Sequence, residues 1–244
     1  MNYTKPTIEQ LATLIENHND DAPLILTRFC DGEWWCMNGI NGKNCDGAAM
    51  TPQLGRALWA AWWHFIAIQS QPYGINSMPH IHAKTFTMSA GKNIKTLDPW
   101  QWQGTNVYDS SWTETAVQSG EICRLLSSIP DAVLVGTDHL ESVAKLAGWQ
   151  FIRCHNENAF LELSDILNAL QECWTQRHVI LCCGLAAEPL AMHINMQTPW
   201  RTILDLGAIL DPIGGRCSRR YQRDLAPEQI KAMSDAIIKR KESI

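Results

Sequence analysis

The sequence predicts an α/β fold built on a mainly parallel, doubly wound sheet with helices on both faces. Three observations carry that expectation: apolar runs of strand length, segments of helical period between them, and a Gly or Asp closing most of the runs. Runs that are apolar throughout, rather than alternating, mark strands covered on both sides. Right-handed crossovers between such strands place the intervening helices on both faces of the sheet.

The elements follow in order. Ile8, Leu11, Leu14 and Ile15 recur at helical spacing, and residues 23–29 read as a buried strand whose end falls at Asp31. Thr51 caps a helix with Pro52 at its first position. That helix carries Leu54, Leu58, Ala61, Trp62 and Phe65 on one stripe to about Ser70. Residues 71–109 follow neither period and read as an irregular or inserted segment. From Ala132 the pattern is regular: strand 132–136, helix 138–147, strand 149–153, helix 159–174, strand 178–184, helix 185–196 and strand 202–207. Pro227 opens a C-terminal helix with Ile230, Met233, Ala236 and Ile237 on one side and the basic run Lys239-Arg240-Lys241 at its end. No linker or charge run divides the 244 residues, so one domain over 1–244 is expected, without a solenoid repeat.

Composition narrows the function. A net charge of −5 argues against holding nucleic acid by overall charge, which draws on clustered Lys and Arg, although a local basic patch stays open. The longest apolar run, 57–68, falls short of the roughly 20 residues a bilayer span needs and reads as a buried helix. The start of the chain has no apolar segment of signal type, so the nine cysteines are expected as reduced thiols in a cytoplasmic protein. None forms a C-x-x-C, which favours buried small apolar residues over a zinc site. Eleven tryptophans fit a thick core, or platforms for sugar rings or bases.

In an open parallel sheet, ligands bind beyond the carboxyl ends of the strands. Four such ends carry polar residues: Asp31-Gly32-Glu33, Gly136-Thr137-Asp138-His139, Gly184 to Glu188, and Asp205-Leu206-Gly207 running on to Asp211. Asp31 and Glu33 flank a Gly and can point to one side of a tight turn to share a hard divalent cation, or can cap a helix at its positive end. Gly184 can offer backbone N–H groups to a phosphate at a helix start, where Glu188 would repel it. Arg216, Arg219 and Arg220 lie in a Gly-rich loop suited to phosphate oxygens or to plain solvation. His80 and His82 would share a strand face but have no third ligand in view and are left unassigned. No G-x-S-x-G or P-loop motif is present, which disfavours a serine hydrolase or a P-loop ATPase.

The stretch Thr27-Arg28-Phe29-Cys30-Asp31-Gly32-Glu33 resembles the R-F-G-D-G-E signature of the GT-D type bacterial glycosyltransferases, formerly a domain of unknown function. Residues 178–184 followed by Ala186-Ala187 and Leu190-Ala191 are similar to that family's strand-Gly-helix segment, and Ile203-Leu204-Asp205-Leu206-Gly207 to its later I-D-I-G strand. Asp211-Pro212 through Arg219-Arg220-Tyr221 resembles a D-P-x-x-G…R-S-Y pattern of related bacterial and phage proteins. Cys30 replaces the usual Gly, and Arg219-Arg220-Tyr221 the usual R-S-Y.

The resemblance implies a Rossmann-like hexosyltransferase that uses a UDP-sugar or similar donor with Mn²⁺ or Mg²⁺. Asp31 and Glu33 would serve the metal, with Arg28, Gly32, Gly184, Asp205, Gly207, Arg216, Arg219 and Arg220 around the donor diphosphate. A carboxylate among Asp138, Glu188, Asp205 and Asp211 would act as general base if the reaction inverts. The acceptor is expected to be a glycan or a hydroxymethylated base in phage-type DNA. A metal-dependent phosphoester hydrolase and a non-catalytic sugar- or nucleotide-binding module remain as alternatives.

Overall fold

The computed structural model describes residues 7–17, 24–44, 47–68, 74–78, 106–109, 112–129, 131–155, 157–173, 176, 178–197 and 202–241, with the backbone alone at 31, 66–68, 74–78, 106–109, 112 and 239–241. His80, His82 and Cys45 lie outside these residues, as do the side chains of Asp31, Lys239, Arg240 and Lys241.

Nine strands are described: β1 (Ile25–Arg28), β2 (Gly42–Lys43), β3 (Ala49–Met50), β4 (Gly74–Met78), β5 (Asn106–Asp109), β6 (Ala132–Gly136), β7 (Gln150–Arg153), β8 (His178–Cys182) and β9 (Thr202–Asp205). β2 and β3 form a small antiparallel pair. The other seven make one sheet in the order β5-β4-β1-β9-β8-β6-β7, with every pairing parallel. The expected doubly wound, mainly parallel sheet is therefore present. Within 71–109, β4 and β5 extend it beyond β1, so the irregular segment is strand at these two places. Gly-Ile-Asn-Ser-Met and Asn-Val-Tyr-Asp hold too few apolar residues to show a strand period, and β5 stands at the edge of the sheet, where one side needs no cover.

Successive strand residues point to opposite faces, and the core divides accordingly. Ile25, Val133, Val135, Val179, Leu181 and Ile203 pack beneath the helices Asp31–Met37, Pro52–Ile68, Leu163–Glu172 and Ala187–Gln197. Leu26, Leu134, Ile180 and Leu204 face the helices Ile8–Glu16, Trp112–Ser119, Ile122–Ser128, Glu141–Ala147 and Pro227–Lys241. Helices 112–119 and 122–128 were not expected from periodicity. No described helix is long and apolar enough to cross a membrane.

One correction bears on function. The acidic stretch read as the end of a strand and a tight turn is the first turn of the helix Asp31–Met37, and β1 stops at Arg28. Its start is fastened by the Cys30 N–H, which donates to Glu33 Oε2 at 2.9 Å. Its far side is fixed by packing. Trp34 meets Trp62 edge-on with ring centres 4.8 Å apart, Trp62 meets Phe29 at 4.9 Å, and Trp59 Nε1 donates to the Met37 carbonyl at 2.7 Å. Buried aromatic area outweighs the poor helix propensity of Asp31-Gly32.

Candidate active site

All seven parallel strands end on one edge of the sheet. The register of Leu26 against Leu204 carries Asp205 to the level of the last residues of β1. Arg28 Nε donates to Asp205 Oδ2 at 3.2 Å and Nη2 to Oδ1 at 3.5 Å, and the Gly207 N–H donates to Oδ1 at 3.0 Å. Gly207 holds a left-handed φ of 52°, and a Cβ there would stand 1.6 Å from Arg28 Nη2. Backbone conformation and the guanidinium lying against it both require glycine.

Two more carboxyl groups join this pair. Glu33, third residue of its helix, is 8% exposed. Glu188, second residue of the helix Ala187–Gln197, is 1% exposed, and its Oε2 has no hydrogen-bond partner among the described residues. Arg28 acts electrostatically on Glu33, Glu188 and Asp205 alike. Burial disfavours charge on Arg28, but Asp205 outweighs it and holds the guanidinium firmly cationic.

Burial also lifts the carboxyls. It raises Glu33 to about 7, with Asp205 adding to the effect and backbone N–H groups opposing it. Glu188 is raised well above the usual carboxylate range by burial, then by Glu33 and Asp205. Asp205 is raised by burial against the pull of Arg28 and Gly207. Burial, with Glu33 next, pushes the Cys30 thiol far up, which keeps it protonated.

The other residues singled out in the sequence fall around this centre. Gly32 is in the first helical turn, where a Cβ would lie 3.2 Å from Leu185 Cδ2. Gly184, at φ 58°, opens the turn Gly184–Ala186. Asp211 is buried, bonded to His139 through Oδ1 at 2.9 Å and to Ser218 through Oδ2. Asp138 is exposed and pairs with Arg153, one strand further out. Arg216 and Arg220 are exposed, and Arg219 is partly buried. Arg219 leads into the short helix Arg220–Arg223, which carries Tyr221 within electrostatic reach of Arg28, Arg219 and Asp211. Asp31 begins its helix, and its side chain lies outside the described residues. Among the described residues no group of three His, Cys, Asp or Glu is arranged to hold a metal ion. The described cysteines are free thiols.

The sequence singles out Arg28, Glu33 and Asp205 without bringing them together, places His139 at a strand end and Ser218 and Tyr221 in or beside the arginine loop without giving them a role, and gives no sign of Gln222. Glu188 did leave a signal: one acid inside the apolar run Leu185-Ala186-Ala187-Glu188-Pro189-Leu190 has to be buried with its neighbours.

A parallel doubly wound sheet with charged groups gathered at the carboxyl ends of its two central neighbours defines a Rossmann-like α/β protein with its site at the strand edge. Solved structures share the fold. A structure described as "The highly conserved domain of unknown function 1792 has a distinct glycosyltransferase fold" is similar with a TM-score of 0.58 and 17% identity, covering 84% of this chain and 78% of that one. "A New Glycosyltransferase (DUF1792) from Streptococcus sanguinis" is similar at 0.55 and 20% identity, over 84% and 81%. A selenomethionine-substituted structure of the same domain gives 0.56 and 17%, over 84% and 78%. The chain matches no protein-family model and no curated protein. The fold thus agrees with the family that the R-F-x-D-G-E stretch suggests.

Proposed function

We propose that the protein transfers a sugar from a nucleotide-sugar, a UDP-sugar in the first instance, to a hydroxyl acceptor. One observation carries this reading: the Arg28–Asp205 pair, with the buried Glu33 and Glu188 within electrostatic reach of it, stands at the strand edge of a fold shared with structures described as glycosyltransferases. Arg28, tied to Asp205, sets the local field. Arg216, Arg219 and Arg220 on the neighbouring loop bind the donor diphosphate.

The carboxyls outnumber the one arginine and Glu188 Oε2 is unpartnered, a surplus of hard oxygen donors that a divalent cation would neutralise, while no three described residues are arranged as its ligands. Asp31 and Glu33 would hold Mn²⁺ or Mg²⁺, which would offset charge on the departing diphosphate. Isothermal titration of UDP with and without Mn²⁺ tests the reading. Metal-dependent binding that is lost in Asp31→Ala and Glu33→Ala supports it, and binding indifferent to metal and to both substitutions refutes it. Phosphate release without sugar transfer would mark a phosphoester hydrolase instead. The acceptor is a glycan hydroxyl or the hydroxyl of a hydroxymethylated base. Mass spectrometry of nucleosides from hydroxymethylated DNA incubated with protein and donor separates the two.

A further inference from the structure

A second polar assembly lies on the same edge, where the loop after β9 crosses to the turn after β6. Thr137 Oγ1 is 2.9 Å from His139 Nδ1, His139 Nε2 is 2.9 Å from Asp211 Oδ1, and Ser218 Oγ donates to Asp211 Oδ2. The bonding fixes the tautomer by inference. Asp211 accepts on both oxygens, so His139 Nε2 bears a hydrogen, and in the neutral ring Nδ1 is the lone-pair nitrogen that receives the Thr137 hydroxyl. Hydroxyl, imidazole and carboxylate therefore stand in series, the order in which a base is oriented and its protonated form stabilised.

The imidazole is also clamped. Gly214 lies so close that a Cβ there would be 2.6 Å from the His139 carbonyl oxygen and 2.9 Å from Cδ2. Gln222 braces the loop, receiving the Arg219 N–H on Oε1 at 2.9 Å and donating from Nε2 to the Ala208 carbonyl. The reactive end is not sealed, since Thr137 and His139 are only partly buried whereas Asp211 is buried. Tyr221 lies within electrostatic reach of both Arg28 and Asp211, so one phenol is near both assemblies. From β1 to β6 is three strand steps, about 14 Å at the usual spacing, and Asp211 follows β9, the neighbour of β1, so the two assemblies share one stretch of the edge.

We propose that His139 is the general base of the transfer, oriented by Asp211. This rests on the glycosyltransferase reading and deepens it. The acceptor hydroxyl displaces Thr137 from Nδ1. Its oxygen bonds to the anomeric carbon and its proton passes to Nδ1, while the bond from that carbon to the diphosphate breaks and its electron pair leaves with the diphosphate. Asp211 stabilises the imidazolium so formed. A single displacement of this kind inverts the anomeric centre.

The experiment uses the nucleotide-sugar that raises the Tm most in a screen of UDP-, GDP- and dTDP-sugars, with water as the acceptor and the released sugar followed by proton NMR. His139→Gln keeps a donor and an acceptor for the clamp but cannot take a proton at neutral pH. The expected result is a fall in kcat of about 100-fold or more, with Tm and donor Kd unchanged and inverted sugar released by the unsubstituted protein. Should His139→Gln lower the Tm, Asp211→Asn, which disturbs the tautomer at constant volume, is expected to reduce kcat with Tm and Kd preserved. Full activity of a folded variant of either kind, or release of sugar with retained configuration, overturns the role of His139. A protein that binds no nucleotide-sugar overturns the glycosyltransferase reading itself.

Discussion

Glu188→Gln offers a direct test of the buried charge. Glu188 is 1% exposed and Oε2 lacks a partner among the described residues, so burial, assisted by Glu33 and Asp205, disfavours ionisation of its carboxyl in the folded protein. Below about pH 4 the folded and unfolded chains both carry the proton, and the group adds nothing to the balance. As pH rises the unfolded chain ionises first and is favoured, so the protein loses about 1.4 kcal/mol per pH unit until the folded-state value is reached. At neutral pH, well above the ordinary carboxylate value, the folded protein therefore carries a stability loss that it does not carry in acid.

Glutamine has the same shape and no such loss. The variant should match the parent near pH 4.5 and become the more stable of the two as pH rises, seen as a gain in Tm that grows with pH. Thermal melts of both proteins across that range, in chelator so that no metal binds the folded state, measure the difference. A difference that does not grow with pH, or a variant less stable at pH 7.5 than the parent, would refute the picture of an uncompensated buried acid.

Other outcomes follow from the same geometry. Gly207→Ala places a Cβ where the Arg28 guanidinium lies and strains a left-handed backbone, so a loss above about 3 kcal/mol is expected in urea unfolding, with weakened donor binding. Arg28→Met leaves Asp205 buried without its cation and should cost about 3–5 kcal/mol. The double variant Arg28→Met/Asp205→Leu should be more stable than the single one, as a double-mutant cycle would show. Arg124, which bridges Glu9 and Glu16 at the surface, should matter little: Arg124→Ala is expected to cost less than about 1 kcal/mol, and less still at high salt.

The legible parts of the fold are those whose local chemistry matches their environment. β6 is apolar throughout, and β8 and β9 carry apolar centres at Val179-Ile180-Leu181 and Ile203-Leu204, because both faces are covered, and the helix Pro52–Ile68 shows its stripe because one side meets the core. β4 and β5 were illegible because Asn76 and Ser77 separate Ile75 from Met78 in β4, and Val107-Tyr108 in β5 stand between two polar residues, so neither shows as an apolar run. The turn Asp31-Gly32-Glu33 was misread because its helix is held by contacts distant in sequence, among them Trp34 against Trp62. The same limit applies to the site. Arg28 and Asp205 are 177 positions apart and meet because β1 and β9 are neighbours, and His139 meets Asp211 across 72 positions. Periodicity reports which face a residue takes and carries no information on which strand lies beside which. Motif order linked Asp31-Gly32-Glu33 with Asp205, since both belong to the family resemblance, and strand ends put Glu188 and His139 on the same edge, whereas the pairing of His139 with Asp211 required the structure.

The position of β9 has a consequence for synthesis of the chain. It joins β1 on one side and β8 on the other, so before Thr202–Asp205 emerges the available pairings give two separate three-stranded sheets, β5-β4-β1 and β8-β6-β7. Each would expose an unsatisfied inner edge to the cell, and the Arg28 charge would await its carboxylate. A nascent chain stalled before Thr202 is therefore the species most in need of chaperone protection, and arrival of four residues turns two edges into an interior.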